Sequence, residues 1–267
     1  MHDVEPGQGG HPHPHPHPHR RFVAIGDSLT EGLGDPLPDG GYAGWADRLA
    51  ARLAVSAPQF AYANLAVRGN GARLIRGVQL PAALALEPDL LAAVVGMNDL
   101  IRPRLDLRAW RDEVDAIFKE CAASGATVIS ATLPDMSRII PLARLLRGKT
   151  AAMREIVLDR GDAHGVHVID LWSDPRAVDP ALWSLDRLHP NPYGHLLLAA
   201  DGAALLGVPF PVQRPVGSAY IPATRRGAAW AQAVWLATQF APWVLRRVRG
   251  RSSGDGRSGK RTSLSPL

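Results

Sequence analysis

The sequence predicts an α/β fold in which a parallel sheet is covered by helices on both faces. Three observations carry this. The strand-like segments are apolar throughout rather than alternating, which marks strands buried on both faces. They alternate with helix-patterned segments along residues 21–207, as repeated strand–helix units require. The chain has 267 residues with 46% hydrophobic and 21% charged content, enough to bury a core of ordinary composition.

The elements follow in order. Arg21-Phe22-Val23-Ala24-Ile25-Gly26 is a short apolar run ending in glycine and reads as a buried strand. Residues 42–55 carry Trp45, Leu49 and Leu53 at four-residue steps, the spacing of one helix face. Residues 60–67 are strand-like, and 72–86 are helical with Pro81 expected to mark a break. Asp89 to Gly96 is the next buried strand. Residues 107–124 form a helix with Trp110, Val114, Ile117, Phe118 and Cys121 on its apolar face. A strand over 126–133, a helix over about 144–164, a strand over 166–171 and a last helix over about 192–206 complete the domain.

Residues outside this zone read differently. Residues 1–20 hold five histidines alternating with prolines between His11 and His19, a pattern that blocks helix and scatters imidazoles over all faces. A disordered arm is expected there, with no preformed metal site. Its lack of an apolar stretch argues against a secretory leader and points to a cytoplasmic protein. Residues 208–267 read as an extension. It holds a proline-rich strap, a charge-free segment over 228–245 with Trp230, Trp235, Phe240 and Trp243, and a basic tail. The net charge of +5 sits on that tail: residues 246–267 carry seven basic groups against one acidic, while the rest is nearly neutral. This disfavours nucleic-acid binding, which needs basic groups spread over a folded face. A helix packed on the body or on a second subunit is the first reading of the Trp segment. Peripheral contact of residues 227–251 with the inner membrane face comes second and a spanning helix last. The final residues, 252–267, are expected to be disordered. One cysteine, Cys121, excludes an intramolecular disulfide and a thiolate cluster.

In parallel sheets the site lies at the carboxyl ends of the strands. That rule directs attention to Gly26-Asp27-Ser28, Arg68-Gly69-Asn70 and Gly96-Met97-Asn98-Asp99, and to the turn after the last strand. These places hold the parts of acyl transfer. A serine hydroxyl, Ser28, needs a base to take its proton. Asp186-Arg187-Leu188-His189 offers that base with an orienting carboxylate, because three-residue spacing lets one turn present both side chains on the same side. The Asn98 amide and the Ser28 and Gly69 N–H groups could hold an oxyanion.

With these residues assembled, the sequence resembles the SGNH hydrolases, the GDSL esterase/lipase family. Gly26-Asp27-Ser28-Leu29-Thr30-Glu31-Gly32 matches its first block and Gly69 its second. Gly96-Met97-Asn98-Asp99 matches its third, and Asp186-Arg187-Leu188-His189 its last. The blocks come in family order over residues 22–200. The resemblance implies a three-layer α/β/α sandwich, the flavodoxin-like fold of these hydrolases, with about five parallel strands. It implies Ser28 as nucleophile, His189 as base and Asp186 as its orienting acid. Ser28, Gly69 and Asn98 would form the oxyanion hole, with Gly71 the alternative donor to Gly69. Asp27 and Asp99 are read as holding their loops through backbone hydrogen bonds. No metal or cofactor is expected, and the partner is a small-molecule ester, of small acyl or acetyl groups or of lipid. The sequence leaves oligomeric state open.

Two other motifs fail. Arg147-Gly148-Lys149-Thr150 ends like a phosphate-binding loop, but Ala143 stands where that loop needs glycine. Ser28 lacks the second glycine of the nucleophile elbow found in the other serine-hydrolase fold. A noncatalytic binding module on the same fold is the competing class, opposed by the complete set of triad residues.

Overall fold

The computed structural model describes residues 19–57, 59–102, 104–212, 238 and 254–267. The His-Pro arm and, Thr238 apart, the Trp-containing segment lie outside the described residues.

Five parallel strands form the sheet: β1 (Arg21–Ile25), β2 (Ala61–Asn64), β3 (Leu90–Ala93), β4 (Thr127–Ala131) and β5 (His167–Ile169). A sixth, β6 (Arg261–Pro266), runs antiparallel along the outer edge of β2. The spatial order is β5-β4-β3-β1-β2-β6. β1 is central, with Phe22 beside Tyr62 of β2 and Leu90 of β3. The connections leave β1 toward opposite sides, so its carboxyl end is the switch point where such sheets hold their ligands.

The period of two along each strand divides the core into two layers. Val23, Ile25, Leu91 and Ala93 face one side. There they meet a helical stretch, made of α3 (Ala72–Leu74), a π turn (Ile75–Gln79) and α4 (Leu80–Leu84), together with α6 (Leu107–Ala123) and α7 (Arg147–His164). Phe22, Ala24, Leu90 and Ala92 face the other, against α2 (Trp45–Ala54) and α8 (Pro192–Leu205). Two short helices at strand ends, α1 (Ser28–Glu31) and α5 (Met97–Leu100), complete the set. Phe22, Val114 and Leu49 are wholly buried; each such side chain contributes about 1.5–3 kcal/mol by leaving water. Cys121 lies on the buried face of α6, and burial pushes its thiol up to about 12, so it is an inert core residue.

Two expectations are corrected. Pro81 does not break the helix. The preceding π turn widens the backbone where a proline ring would otherwise meet the preceding turn, and the chain continues into α4. The end of the chain is not disordered either: Arg261–Pro266 adds a strand to the sheet. Its polar, charged composition is normal for an edge strand, which buries little and whose hydrogen bonds come from the neighbouring backbone. Among the described residues no helix is long and apolar enough to cross a membrane.

Candidate active site

Ser28 opens α1, directly after β1. Asp27 caps that helix, its Oδ1 accepting from the Leu29 N–H at 3.1 Å. Gly26, just before, is held by Gln79: the Gly26 N–H donates to Gln79 Oε1 at 2.8 Å, and Gln79 Nε2 donates to the Gly26 carbonyl at 2.9 Å. The π turn presents Gln79 to this buried position.

His189 comes from the loop before α8. Asn191 caps α8, accepting from the Tyr193 and Gly194 N–H groups at 3.0 Å each, and Pro192 fills the first turn where no donor is needed. The ring is thereby brought over Ser28. His189 Nε2 lies 2.9 Å from Ser28 Oγ, and His189 Nδ1 lies 2.6 Å from Asp186 Oδ2. With Nδ1 carrying the proton toward the carboxylate, Nε2 accepts from the serine. Asp186 Oδ1 also accepts from the Ser184 hydroxyl at 2.7 Å and from the Leu188 and His189 N–H groups at 2.9 and 3.0 Å. Burial opposes the charge on Asp186. The hydrogen bond and charge of His189, with the Leu188 and Ser184 donors, outweigh it and hold the carboxyl well below its usual range. Arg187, inside this turn, has φ of 56°, a left-handed conformation that a non-glycine residue adopts only where surroundings enforce it.

The oxyanion candidates adjoin. Asn98 lies in α5, and its Nδ2 donates to Asp27 Oδ2 at 2.9 Å and to the Asn70 carbonyl at 3.1 Å. The amide thus ties the nucleophile motif to the loop of Gly69. Gly69 has φ of 84°, which glycine reaches without a Cβ clash. Gly71, the alternative donor, is extended and packs on Asp99, where a side chain would collide. Asp99 Oδ2 accepts from the Ala72 N–H at 2.9 Å. Asp27 and Asp99 therefore both hold loop backbone, in the way the motif reading gave them. Burial raises Asp27 to about 6, the Leu29, His189 and Asn98 contacts offsetting only part of the effect.

Further contacts hold these segments together. Asn64, buried in β2, donates from Nδ2 to the Thr30 carbonyl at 2.8 Å. Glu31 accepts from the Arg68 N–H at 2.7 Å and pairs with the Arg68 guanidinium. His195, fully buried in α8, accepts from the Trp45 N–H at 3.2 Å through Nδ1 and donates from Nε2 to the Leu33 carbonyl at 2.9 Å. Burial lowers its pKa to about 4 and keeps it neutral. His164 Nε2 lies 2.9 Å from Asp115 on the helical surface, away from this site.

An apolar pocket opens beside the Ser28–His189–Asp186 cluster. Ser28 and His189 stand on its wall, and Val94, Val95, Met97, Leu133, Leu182 and Leu188 line it. Trp183 fixes another part of the wall by donating from Nε1 to the Ala177 carbonyl at 3.1 Å. A second apolar cavity, lined by Met136, Ile140 and Leu146, shares Met97 and Leu188 with the first. Among the described residues, no three His, Cys, Asp or Glu side chains gather in a way that could hold a metal ion.

The sequence model of the GDSL-like lipase/acylhydrolase family matches residues 24–197. No curated protein matches the chain. Among solved structures, LAE5, an alpha/beta hydrolase enzyme from the metagenome of Lake Arreo, is 22% identical. The match covers 70% of this chain and 95% of that one, with a TM-score of 0.59. Axe2, an acetylxylan esterase from Geobacillus stearothermophilus, is 18% identical over 73% of this chain and 97% of its own, with a TM-score of 0.57. Other Axe2 structures carry catalytic mutations of a serine, an aspartate and a histidine, the last two being three positions apart.

Proposed function

The chain belongs to the GDSL-like lipase/acylhydrolase family and is a serine carboxylic ester hydrolase; we propose that Ser28, His189 and Asp186 are its catalytic triad and that Ser28, Gly69 and Asn98 form its oxyanion hole. The observation that carries this is the unbroken relay from Asp186 Oδ2 through both ring nitrogens of His189 to Ser28 Oγ. The serine, aspartate and histidine mutated in Axe2, with the same three-residue spacing, support it by analogy.

The chemistry follows from the geometry. Ser28 Oγ attacks the ester carbonyl as His189 Nε2 takes its proton. Asp186 stabilises the imidazolium that forms and keeps Nδ1 protonated. Negative charge on the carbonyl oxygen develops among the Ser28 and Gly69 N–H groups and the Asn98 amide. In the resting enzyme both Asn98 amide hydrogens are taken up by Asp27 Oδ2 and the Asn70 carbonyl, so the oxyanion shares or displaces one of these acceptors on a donor already held beside Ser28. His189 then protonates the leaving alcohol. Water, activated by the same ring, cleaves the acyl-enzyme and releases the carboxylic acid.

The substrate reading is a small to medium apolar acyl ester. The pocket wall beside Ser28 is aliphatic, so each methylene it buries contributes about 0.8 kcal/mol. Hydrolysis of p-nitrophenyl esters by the wild type and by Ser28→Ala, with fluorophosphonate labelling of both, tests the assignment. Ser28→Ala should lose turnover and label, and wild-type kcat/KM should rise about tenfold from acetate to butyrate. Wild-type rates in Ser28→Ala would sink the triad, and a flat chain-length profile would sink the acyl reading.

The address belongs to the same proposal. We place the protein in the cytoplasm, and peripheral contact at the inner membrane face through residues 227–251 stands second to packing of that segment on the body or on a second subunit. The order of Trp230, Trp235 and Trp243 before Arg246, Arg247, Arg249 and Arg251 supports the membrane contact. Flotation with vesicles containing anionic lipid tests it, and equal recovery after all four arginines are replaced by glutamine would count against it. The domain layout is an arm over 1–20, a hydrolase domain over 21–207 and an extension over 208–267 whose end returns to the sheet.

A further inference from the structure

The family match stops at residue 197, yet a residue far beyond it bonds directly to the last carbonyl of the helix that Ser28 opens. Lys260 precedes β6. Its ammonium donates to the Glu31 carbonyl at 2.7 Å, to the Tyr42 carbonyl at 2.9 Å, to the Ala43 carbonyl and to Asp47 Oδ2 at 2.6 Å. Only 22% of its side chain is exposed. Glu31 is the last residue of α1, the one-turn helix that starts with Ser28. Its carbonyl is one of the groups that a helix end leaves without an internal partner, and a cation is the strongest donor for it. Tyr42 and Ala43 lie in the loop from α1 to α2, and Asp47 lies in α2. Lys260 therefore ties α1, that loop and α2 to one point.

The neighbouring residues extend the hold to the other half of the site. Gly259 lies so close to the Asn64 carbonyl and Leu65 backbone that a side chain there would collide with both. Gly254 lies equally close to the Arg68 carbonyl. Residues 254–260 thus run directly over Asn64–Arg68, the stretch that leads into Gly69. Arg68 is itself held by Glu31 through its N–H and its guanidinium. Arg261 completes the contact by placing its guanidinium over the Tyr62 ring, 5.7 Å from the centroid. Tyr62 accepts from Asn64, whose amide also holds the Thr30 carbonyl.

We propose that Lys260 is a positioning residue for catalysis: from outside the family-matched region it fixes α1 against the Arg68–Gly69 loop, and so sets the distance between the Ser28 hydroxyl and its oxyanion donors. It touches neither substrate nor triad. Its effect is on alignment, and displacement of a reacting group by about 1 Å can cost on the order of 10² in rate. The loss should fall mainly on kcat and leave KM nearly unchanged, because most of the pocket wall, Val94, Val95, Leu133, Leu182 and Leu188, comes from segments that Lys260 does not touch.

The inference rests on Ser28 being the nucleophile. The test compares the full-length wild type with Lys260→Met and Leu264→Ala. Leu264 lies in β6, the strand that Lys260 leads into, and packs on the core without reaching the site. Steady-state kinetics on p-nitrophenyl butyrate and the fluorophosphonate labelling rate are measured where circular dichroism shows each variant folded. Lys260→Met should lower kcat and labelling at least tenfold with KM within twofold, while Leu264→Ala lowers Tm and keeps kcat. Wild-type kcat in Lys260→Met would overturn the proposal, as would an equal loss of kcat in Leu264→Ala. If Lys260→Met does not fold, Lys260→Gln is measured instead: it keeps one donor but loses the charge paired with Asp47 and the span of contacts to the loop, so kcat should fall at least threefold with KM within twofold, and wild-type kcat would overturn the proposal. Failure of the nucleophile assignment itself would show separately, as unchanged activity in Ser28→Ala.

Discussion

Gln79 pairs with Gly26 at two points, its Oε1 accepting from the Gly26 N–H at 2.8 Å and its Nε2 donating to the Gly26 carbonyl at 2.9 Å. The side chain acts as a short piece of strand, closing the hydrogen bonds of the backbone that turns from β1 into the nucleophile. Gln79→Leu leaves the buried Gly26 N–H without a partner, at about 1–3 kcal/mol, while the Gly26 carbonyl keeps the Val67 N–H at 3.2 Å. Urea unfolding should show a loss of about 1–3 kcal/mol, and a loss below about 0.5 kcal/mol would show that water replaces the amide.

Asn98 is held by Asp27 and by the Asn70 carbonyl before any substrate arrives. Removing one such preorganised donor costs ~10²–10³ in kcat. Asn98→Ala should show that loss with Ser28 still present and the fold retained. A decrease smaller than about fivefold in folded protein would remove Asn98 from the oxyanion hole.

Asp186 accepts hydrogen bonds from the His189 ring, from two backbone N–H groups and from Ser184. Asp186→Asn can keep the geometry but reverses the donor preference at Nδ1, so the ring presents the wrong tautomer to Ser28. Rates should fall by ~10⁴ with little change in KM. Activity within tenfold of wild type would mean that another group orients the ring.

His195 makes stability depend on pH. Its folded pKa is about 4, against 6.5 for the unexcluded ring. Between these values the unfolded chain takes a proton that the native protein refuses, so the stability it contributes is full above 6.5 and falls as pH drops toward 4. The loss is about 3 kcal/mol across that window. Asp27, raised to about 6, acts with the opposite sign, because the native state binds its proton first and gains stability as pH falls through 6. The clean measurement is therefore the difference in unfolding free energy between wild type and His195→Gln, in which the Asp27 contribution cancels. That difference should shrink in favour of the variant from pH 7 to pH 4.5. A constant difference would show that the ring is not excluded from protonation.

What could be read in advance follows a physical line. Ser28, Asn98, Asp186 and His189 were legible because each sits at a strand end or in a turn, where local spacing decides what a side chain can face. The five parallel strands were legible because burial on both faces leaves continuous apolar runs. Gln79, Asn64, His195 and Lys260 were not, because each acts on backbone far away in sequence, and one polar residue on an otherwise apolar element carries no mark of its partner. The strand over Arg261–Pro266 was missed for a related reason. Charge and low hydropathy read as solvation, whereas the open edge of β2 supplied the hydrogen bonds, and Asp47 of α2 and Tyr62 of β2 the partners for Lys260 and Arg261. Pro81 misled because a π turn is not written in composition.

The return of the chain to the sheet changes what a cut would do. Arg52 fastens the outgoing chain through the Pro209 carbonyl, and residues 254–260 refasten it over Asn64–Arg68. The chain is thus fastened on both sides of residues 213–253. Limited proteolysis within residues 213–253 should leave a nicked enzyme in which the small fragment stays seated by the β2–β6 pairing and Lys260. The two pieces should elute together under native conditions and separate only in denaturant. The hydrolase would then be a two-fragment protein by complementation, with activity lost when the small piece is stripped away and regained when it is added back.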